Sequence, residues 1–353
     1  MSRPFPLLAG SLAVALAGCW MGAPIGSAGD GGDDDDTGGG ITDPDTGTYG
    51  QWVLEELESP TTNDLSDVWG SAWNDVWAVG EAGVVLHYDG GTWSLADTSS
   101  LPIHQDLFGI GGRFANDVAA VGANGYGITW DGAGWEILPW VGVQFPNFRS
   151  VCLGNDGRNW AVADDGTWVN FYEGGSVSGQ LPGGIGLYGV RCLPGGDAYA
   201  VGHDHTAFAS SAIYYFQLSD WSVHEMEHEQ TDNMYVVAGD QDSNCWTAGF
   251  VDGQGSDIYR LIEGGWIVEE TSPHELLDLH ADTDLGLWAA GNTSDDDSSG
   301  VVQAWHGGAP IFEQEVPSTS RLRGIWVAPD GSPGQIHAVG KGGTVVRINW
   351  QVW

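Results

Sequence analysis

Basic residues are what this sequence has least of. Lysine and arginine together number 10 in 353 residues, against 48 aspartates and glutamates, and the formal net charge is −38. A surface of that sign repels phosphate backbones and anionic lipid headgroups, which argues against nucleic acid as a partner and favours cations and basic partners. Long apolar runs are missing as well. The mostly apolar stretch Phe5 to Ala17 falls short of the roughly 20 residues a bilayer-spanning helix needs. Few stretches look helical. Cysteine is sparse, with Cys19, Cys152, Cys192 and Cys245. What is abundant is glycine and tryptophan, 56 and 19 residues. That combination points to short strands joined by tight turns, with large rings filling the core.

The N-terminus begins Met1-Ser2-Arg3, continues with the short apolar stretch and ends in small residues, the pattern of a secretory signal. It closes on Leu16-Ala17-Gly18-Cys19, which resembles the lipobox of bacterial lipoproteins. The resemblance implies a signal peptide over 1–18, cleavage before Cys19, and attachment of diacylglyceryl and palmitate chains to Cys19. Trp20 follows where a retained lipoprotein would carry Asp, so the resemblance implies sorting to the outer membrane of a Gram-negative bacterium, facing the periplasm or the surface. Gly26 to Gly47 includes the run Gly31-Gly32-Asp33-Asp34-Asp35-Asp36 and almost no apolar side chain, which predicts a disordered acidic tether over 19–48. The ligand spacing of a calcium loop is absent from it.

Residues 49–353 repeat. Asn74-Asp75-Val76-Trp77-Ala78-Val79-Gly80 is echoed by segments ending at 122, 163, 202, 249, 291 and 340, at steps of 42, 41, 39, 47, 42 and 49 residues. About ten residues before each echo lies a strand start: Leu65-Ser66-Asp67-Val68, Leu107-Phe108-Gly109-Ile110, Phe148-Arg149-Ser150-Val151, Leu187-Tyr188-Gly189-Val190, Met234-Tyr235-Val236-Val237, Leu276-Leu277-Asp278-Leu279 and Leu322-Arg323-Gly324-Ile325. A third strand follows each echo, then a turn such as Asp89-Gly90-Gly91-Thr92-Trp93 into a fourth strand. Four strands in roughly 40–45 residues make one propeller blade, so the pattern predicts an all-β, seven-bladed β-propeller of four-stranded antiparallel blades. The last repeat supplies three strands. Tyr49 to Glu56 parallels Gly264 to Glu270 and is expected to complete that blade and close the ring.

These repeats resemble those of secreted bacterial propeller lipoproteins, with their Val-Trp-Gly-Ser-x-x-Asn-Asp-Val-Trp-Ala-Val-Gly form. The Tyr-Asp-Gly-x-Thr-Trp turn is also similar to the Asp-box of sialidase-type propellers, one residue shorter and without its leading Ser. The resemblance covers Tyr49 to Trp353 and speaks to fold far more than to function. The sialidase arginine triad is not evident in so few arginines.

Cys152 and Cys192 hold nearly equivalent places in neighbouring repeats and could pair across two blades; three cysteines beyond Cys19 leave three single pairings open. His224-Glu225-Met226-Glu227-His228 fits H-E-x-x-H, but the zinc chemistry of that signature needs a helix, and this segment is expected to be a strand end and an interblade loop. In a blade, the loop between strands two and three shares a face with the interblade loop. That geometry collects His203, Asp204, His205, His224, His228, Asp295, Asp296 and Asp297 as a candidate binding face on blades four to six. A divalent cation there is an open question, and no cofactor is otherwise implied. The recurrent tryptophans read as blade packing rather than a sugar platform. No complete catalytic set is evident, so the expected role is a noncatalytic, monomeric binding or scaffolding propeller, held to the membrane by its lipid alone. Its partner would be a protein or glycan at the cell surface. The alternatives are a polysaccharide-acting hydrolase or lyase using the His/Asp loops, and a purely structural envelope protein.

Overall fold

The second strand of each repeat reads as an almost unbroken apolar run because both of its faces are covered. Asp75–Gly80 and Asp117–Gly122 are buried at every position after the first, and Asn159–Ala163 and Ile336–Gly340 at every position. A strand sandwiched between two neighbouring sheets has no polar face to alternate with. The computed structural model describes residues 41–42, 49–101, 105–138, 146–206, 211–226, 233–239, 244–250, 255–262, 264–293, 299–329 and 335–352. They form seven antiparallel sheets arranged as the blades of a propeller. The innermost strands, one per blade, are Leu65–Ala72, Leu107–Phe114, Phe148–Leu153, Ile185–Cys192, Asn233–Gly239, Glu275–Asp282 and Leu322–Val327.

The ring closes through the N-terminal strand. Tyr49–Glu56 pairs antiparallel with Val345–Val352 in blade seven, Trp52 opposite Trp350 and Glu56 opposite Val346. Arg347 fastens this joint. It donates to Glu55 on the closing strand at 2.6 Å and to the Tyr88 hydroxyl of blade one at 2.8 Å. Ile41–Thr42, within the expected tether, adds a fifth strand outside Tyr49–Glu56. Cys19 and the signal segment lie outside the described residues.

The core is divided into seven seams, one between each pair of neighbouring blades. Each seam is a cluster of buried side chains drawn from two blades, such as Leu65, Leu86 and Tyr88 with Trp326 and Val339. Every inner strand carries a bulge near its start, and near the axis neighbouring strands meet through the residue that follows it. Asp67 accepts the Ile110 N–H of blade two at 2.8 Å, Ser150 accepts Val190 N–H of blade four at 3.2 Å, and Asp278 accepts Ile325 N–H of blade seven at 2.7 Å. The receiving blades have Gly109, Gly189 and Gly324 at that position, and a Cβ on Gly324 would stand 2.8 Å from Asp67 Cα. Bridging residues and glycines therefore alternate around the ring. Seven is odd, so the alternation fails once, at Val236 of blade five. A disulfide joins Cys152 and Cys192, tying blade three to blade four.

The Gly-rich turns between strands three and four hold themselves shut. The Asp89 carboxylate accepts the N–H groups of Gly91 and Thr92 at 2.9 Å each, and Asp131 does the same for Ala133 and Gly134 at 2.8 and 3.0 Å. Gly90 and Gly132 supply the left-handed residue, at φ of 94° and 93°. The Asp of this motif therefore has a structural task.

Candidate recognition face at the channel mouth

The residue that the pairing skips at the bulge of each inner strand stands at one end of the central channel, on the face that carries the loops between strands two and three. In chain order these residues are Ser66, Phe108, Arg149, Tyr188, Tyr235, Leu277 and Arg323, and through them all seven inner strands line the 1090 Å³ channel. From blade two to blade five they form a run of contacts. Arg149 places its guanidinium 4.4 Å from the Phe108 ring centre and 5.9 Å from that of Tyr188. Tyr188 stacks on His203 at 4.8 Å with an interplanar angle of 5°, and meets Tyr235 edge-on at 5.3 Å. Tyr235 in turn stacks on Phe250 at 5.0 Å.

Each member is fixed by its neighbours. Asp164 accepts Arg149 Nε at 3.0 Å and Nη2 at 2.6 Å, and is itself held by Asn147. His205 Nε2 lies 3.4 Å from the Tyr188 hydroxyl. That approach depends on Gly186, where a Cβ would come within 2.4 Å of His205 Nε2. Burial, and then the nearby His205, push His203 down to about 4, so its ring is neutral at neutral pH and presents an uncharged face to Tyr188. Burial raises the Tyr188 phenol, which therefore stays protonated as a donor.

The channel wall below is unlike the outer surface in charge. Arg113, Arg149, Arg191 and Arg323 line it, four of the 10 basic residues in the chain. Asp67 and Asp278 also face it, on either side of Gly324. Loss of solvation raises Asp67 to about 7, against two backbone N–H bonds that favour the charged form. The same desolvation raises Asp278, and repulsion from Asp67 adds to it. Two half-enclosed carboxylates this close resist ionising together.

The structure brings together part of the set the sequence suggested. His203 and His205 meet, their ring centres 4.7 Å apart. The Asp204 carboxylate accepts the Thr206 N–H and hydroxyl at 2.7 Å each. His224 is elsewhere. It lies on the strand Ser222–Glu225, not on a helix, with its Nε2 2.8 Å from the Ser222 hydroxyl and its ring against Tyr215. On the shared third strand His203 pairs Ser211 and His224 pairs Tyr215, which separates them by four residues, about 13 Å along the strand. His228, Asp295, Asp296 and Asp297 lie outside the described residues. Among the described residues no group of three or more His, Cys, Asp or Glu is placed to hold a metal ion. Phe108, Arg149, Tyr188, Tyr235 and Phe250 were not singled out from sequence. The signal of the first four was positional, the second place of each strand start, which carries five residue types over seven blades; Phe250 ends the second strand of blade five.

The fold defines the class, a seven-bladed β-propeller. No protein-family model and no curated protein sequence matches the chain. Solved structures do. YCF48 bound to D1 peptide is 17% identical with a TM-score of 0.61, over 85% of this chain and 97% of that one. The WD40 propeller domain of Doa1 is 15% identical with a TM-score of 0.65, over 85% and 97%. Streptogramin B lyase is 14% identical with a TM-score of 0.65, over 85% and 98%. At these identities the likeness is one of fold.

Proposed function

We propose that this chain is a noncatalytic binding propeller that holds an extended peptide segment of a protein partner across the channel mouth, over blades two to five. The observation that carries the reading is the run Phe108–Arg149–Tyr188–His203–Tyr235. Tyrosine and arginine on a rigid scaffold offer large contact area at small conformational cost, and they dominate binding energy where they cluster. YCF48, a propeller of similar shape, is known in complex with a peptide, which supports the reading without identifying the partner. A polysaccharide-acting hydrolase or lyase would need a free carboxylate beside His203 or His205, and that of Asp204, near His205, is already bonded to the Thr206 N–H and hydroxyl. We place the propeller at the cell envelope on a lipid attached at Cys19, on the strength of the lipobox resemblance. Replacing Cys19→Ser then moves the chain from the membrane to the soluble fraction; a chain that stays with the membrane contradicts the anchor.

The binding reading is tested with peptides selected from a random library on the full-length chain. Tyr188→Ala and Arg149→Ala should each weaken them by about 2 kcal/mol, roughly thirtyfold. Selected peptides indifferent to both substitutions would contradict it.

A further inference from the structure

A second cavity, of 630 Å³, opens in the seam between blades one and two and shares no lining residue with the channel. Three rings form its aromatic wall. Trp77 comes from strand two of blade one, and Trp130 and Trp135 from strands three and four of blade two, with centroids 5.3, 5.4 and 5.7 Å apart. The seam between blades seven and one repeats this triad with His337, Tyr88 and Trp93, at 4.9, 5.6 and 5.4 Å. Strand register makes the two sets equivalent. Trp77 pairs with His87 as His337 pairs with Arg347, and Trp135 pairs with Trp130 as Trp93 pairs with Tyr88.

The seams differ in what lies beside the triad. Between blades seven and one, Arg347 donates to the Tyr88 hydroxyl and to Glu55, and Tyr88 and His337 are fully buried. Between blades five and six, Arg260 holds the same register position opposite Trp246. Its guanidinium stands 5.2 Å from the Trp246 ring and donates to Glu269 and Asn244 at 2.9 Å each. Between blades one and two the position belongs to His87. Its ring lies back on Trp77 at 4.1 Å, held by Asp75 at 2.7 Å. The half-buried Trp130 and the carboxylates of Asp75 and Asp97 line the cavity that remains. So does Trp135, whose indole N–H is buried without a hydrogen-bond partner.

We propose that this pocket takes the guanidinium of an arginine side chain from a partner segment, the group the chain supplies to itself at two equivalent seams. An aromatic wall and a nearby carboxylate are the surroundings that Arg347 and Arg260 have, and among the described residues lining this pocket, which include two carboxylates, there is no Arg or Lys. The net charge of −38 draws a basic segment toward the molecule.

Calorimetric titration of the full-length chain with a capped Gly-Arg-Gly peptide, and with its citrulline counterpart, tests this. The arginine peptide should bind saturably at one site, and citrulline, which keeps the shape but not the charge, about tenfold more weakly. Asp97→Asn and Trp130→Leu should each weaken binding about three- to tenfold. His87→Arg should abolish it by filling the pocket from within. Tyr188→Ala, at the channel mouth, should leave it unchanged. The proposal is overturned by absence of saturable binding, by equal binding of the citrulline peptide, or by indifference to both Asp97→Asn and Trp130→Leu. If His87→Arg fails to fold, those two variants decide.

Discussion

Blades two to five and blades six, seven and one use the same position of the same repeat for different ends. In the first arc the residue skipped at the bulge of the inner strand is Phe108, Arg149, Tyr188 or Tyr235, and the rings and guanidinium touch from blade to blade. In the second arc it is Leu277, Arg323 or Ser66; Arg323 pairs with Asp64 at 3.0 Å, as Arg149 does with Asp164 in the first. One position deeper the contrast reverses. The second arc carries the carboxylates Asp278 and Asp67, each bonded to the next blade, and it is the arc where the two chain ends meet. The first carries Gly109, Ser150, Gly189 and Val236. Closure and the surface proposed for recognition are thus separated around the ring, and a change in one arc should leave the other's property largely intact.

The largest effect expected falls on the closing arc. Removing residues 49–56 takes away a whole strand, the Glu55 partner of Arg347, and the Trp52 ring that packs on Trp288 at 4.9 Å. The ring should lose its cooperative melt; a chain that still unfolds in one sharp transition would show that closure matters less than the register implies. Next comes the disulfide, which stiffens the recognition arc. It closes a loop with a sequence separation of 40, and Cys152→Ser with Cys192→Ser should destabilise the chain by about 4 kcal/mol on chain-entropy grounds, read by denaturant unfolding. A loss below about 1 kcal/mol would mean that the seam is held by packing such as the Trp160 indole on Gly196 O, at 2.8 Å.

Smaller effects sharpen the contrast through pH. Asp67 is raised from 3.8 to about 7, so as pH rises the unfolded chain gives up its proton first, and stability should fall between those values. His337 is lowered from 6.5 to about 3 by burial and by Arg347, so as pH falls the unfolded chain takes up a proton first, and stability should fall from pH 6.5 downward. Both groups lie in the closing arc. Melting scans should show a shallower loss between pH 3.8 and about 7 for Asp67→Asn, and a shallower loss below pH 6.5 for His337→Phe. An unchanged loss in either variant removes that group from the account.

Sequence made the scaffold legible and hid the site. Strand two stood out because burial on both faces leaves it uniformly apolar, and Trp52 revealed the closing strand by its likeness to Trp266. His203 and His205 were visible as a short polar cluster at a strand end. Tyr188 and Arg149 were not, because the channel-facing position has no preferred residue type and becomes meaningful only when seven copies converge on an axis. His224 was grouped with His203 on loop position alone. Strand register, which the sequence does not display, sets them apart.

The separation of the two arcs is most directly tested by photo-cross-linking. A photoreactive phenylalanine analogue is placed at Tyr235 in one full-length chain and at Ser66 in another, each expressed in its native cells. The account predicts a discrete cross-linked partner from position 235 and none from position 66. Equal yields from both, or a partner captured from position 66 alone, would contradict it.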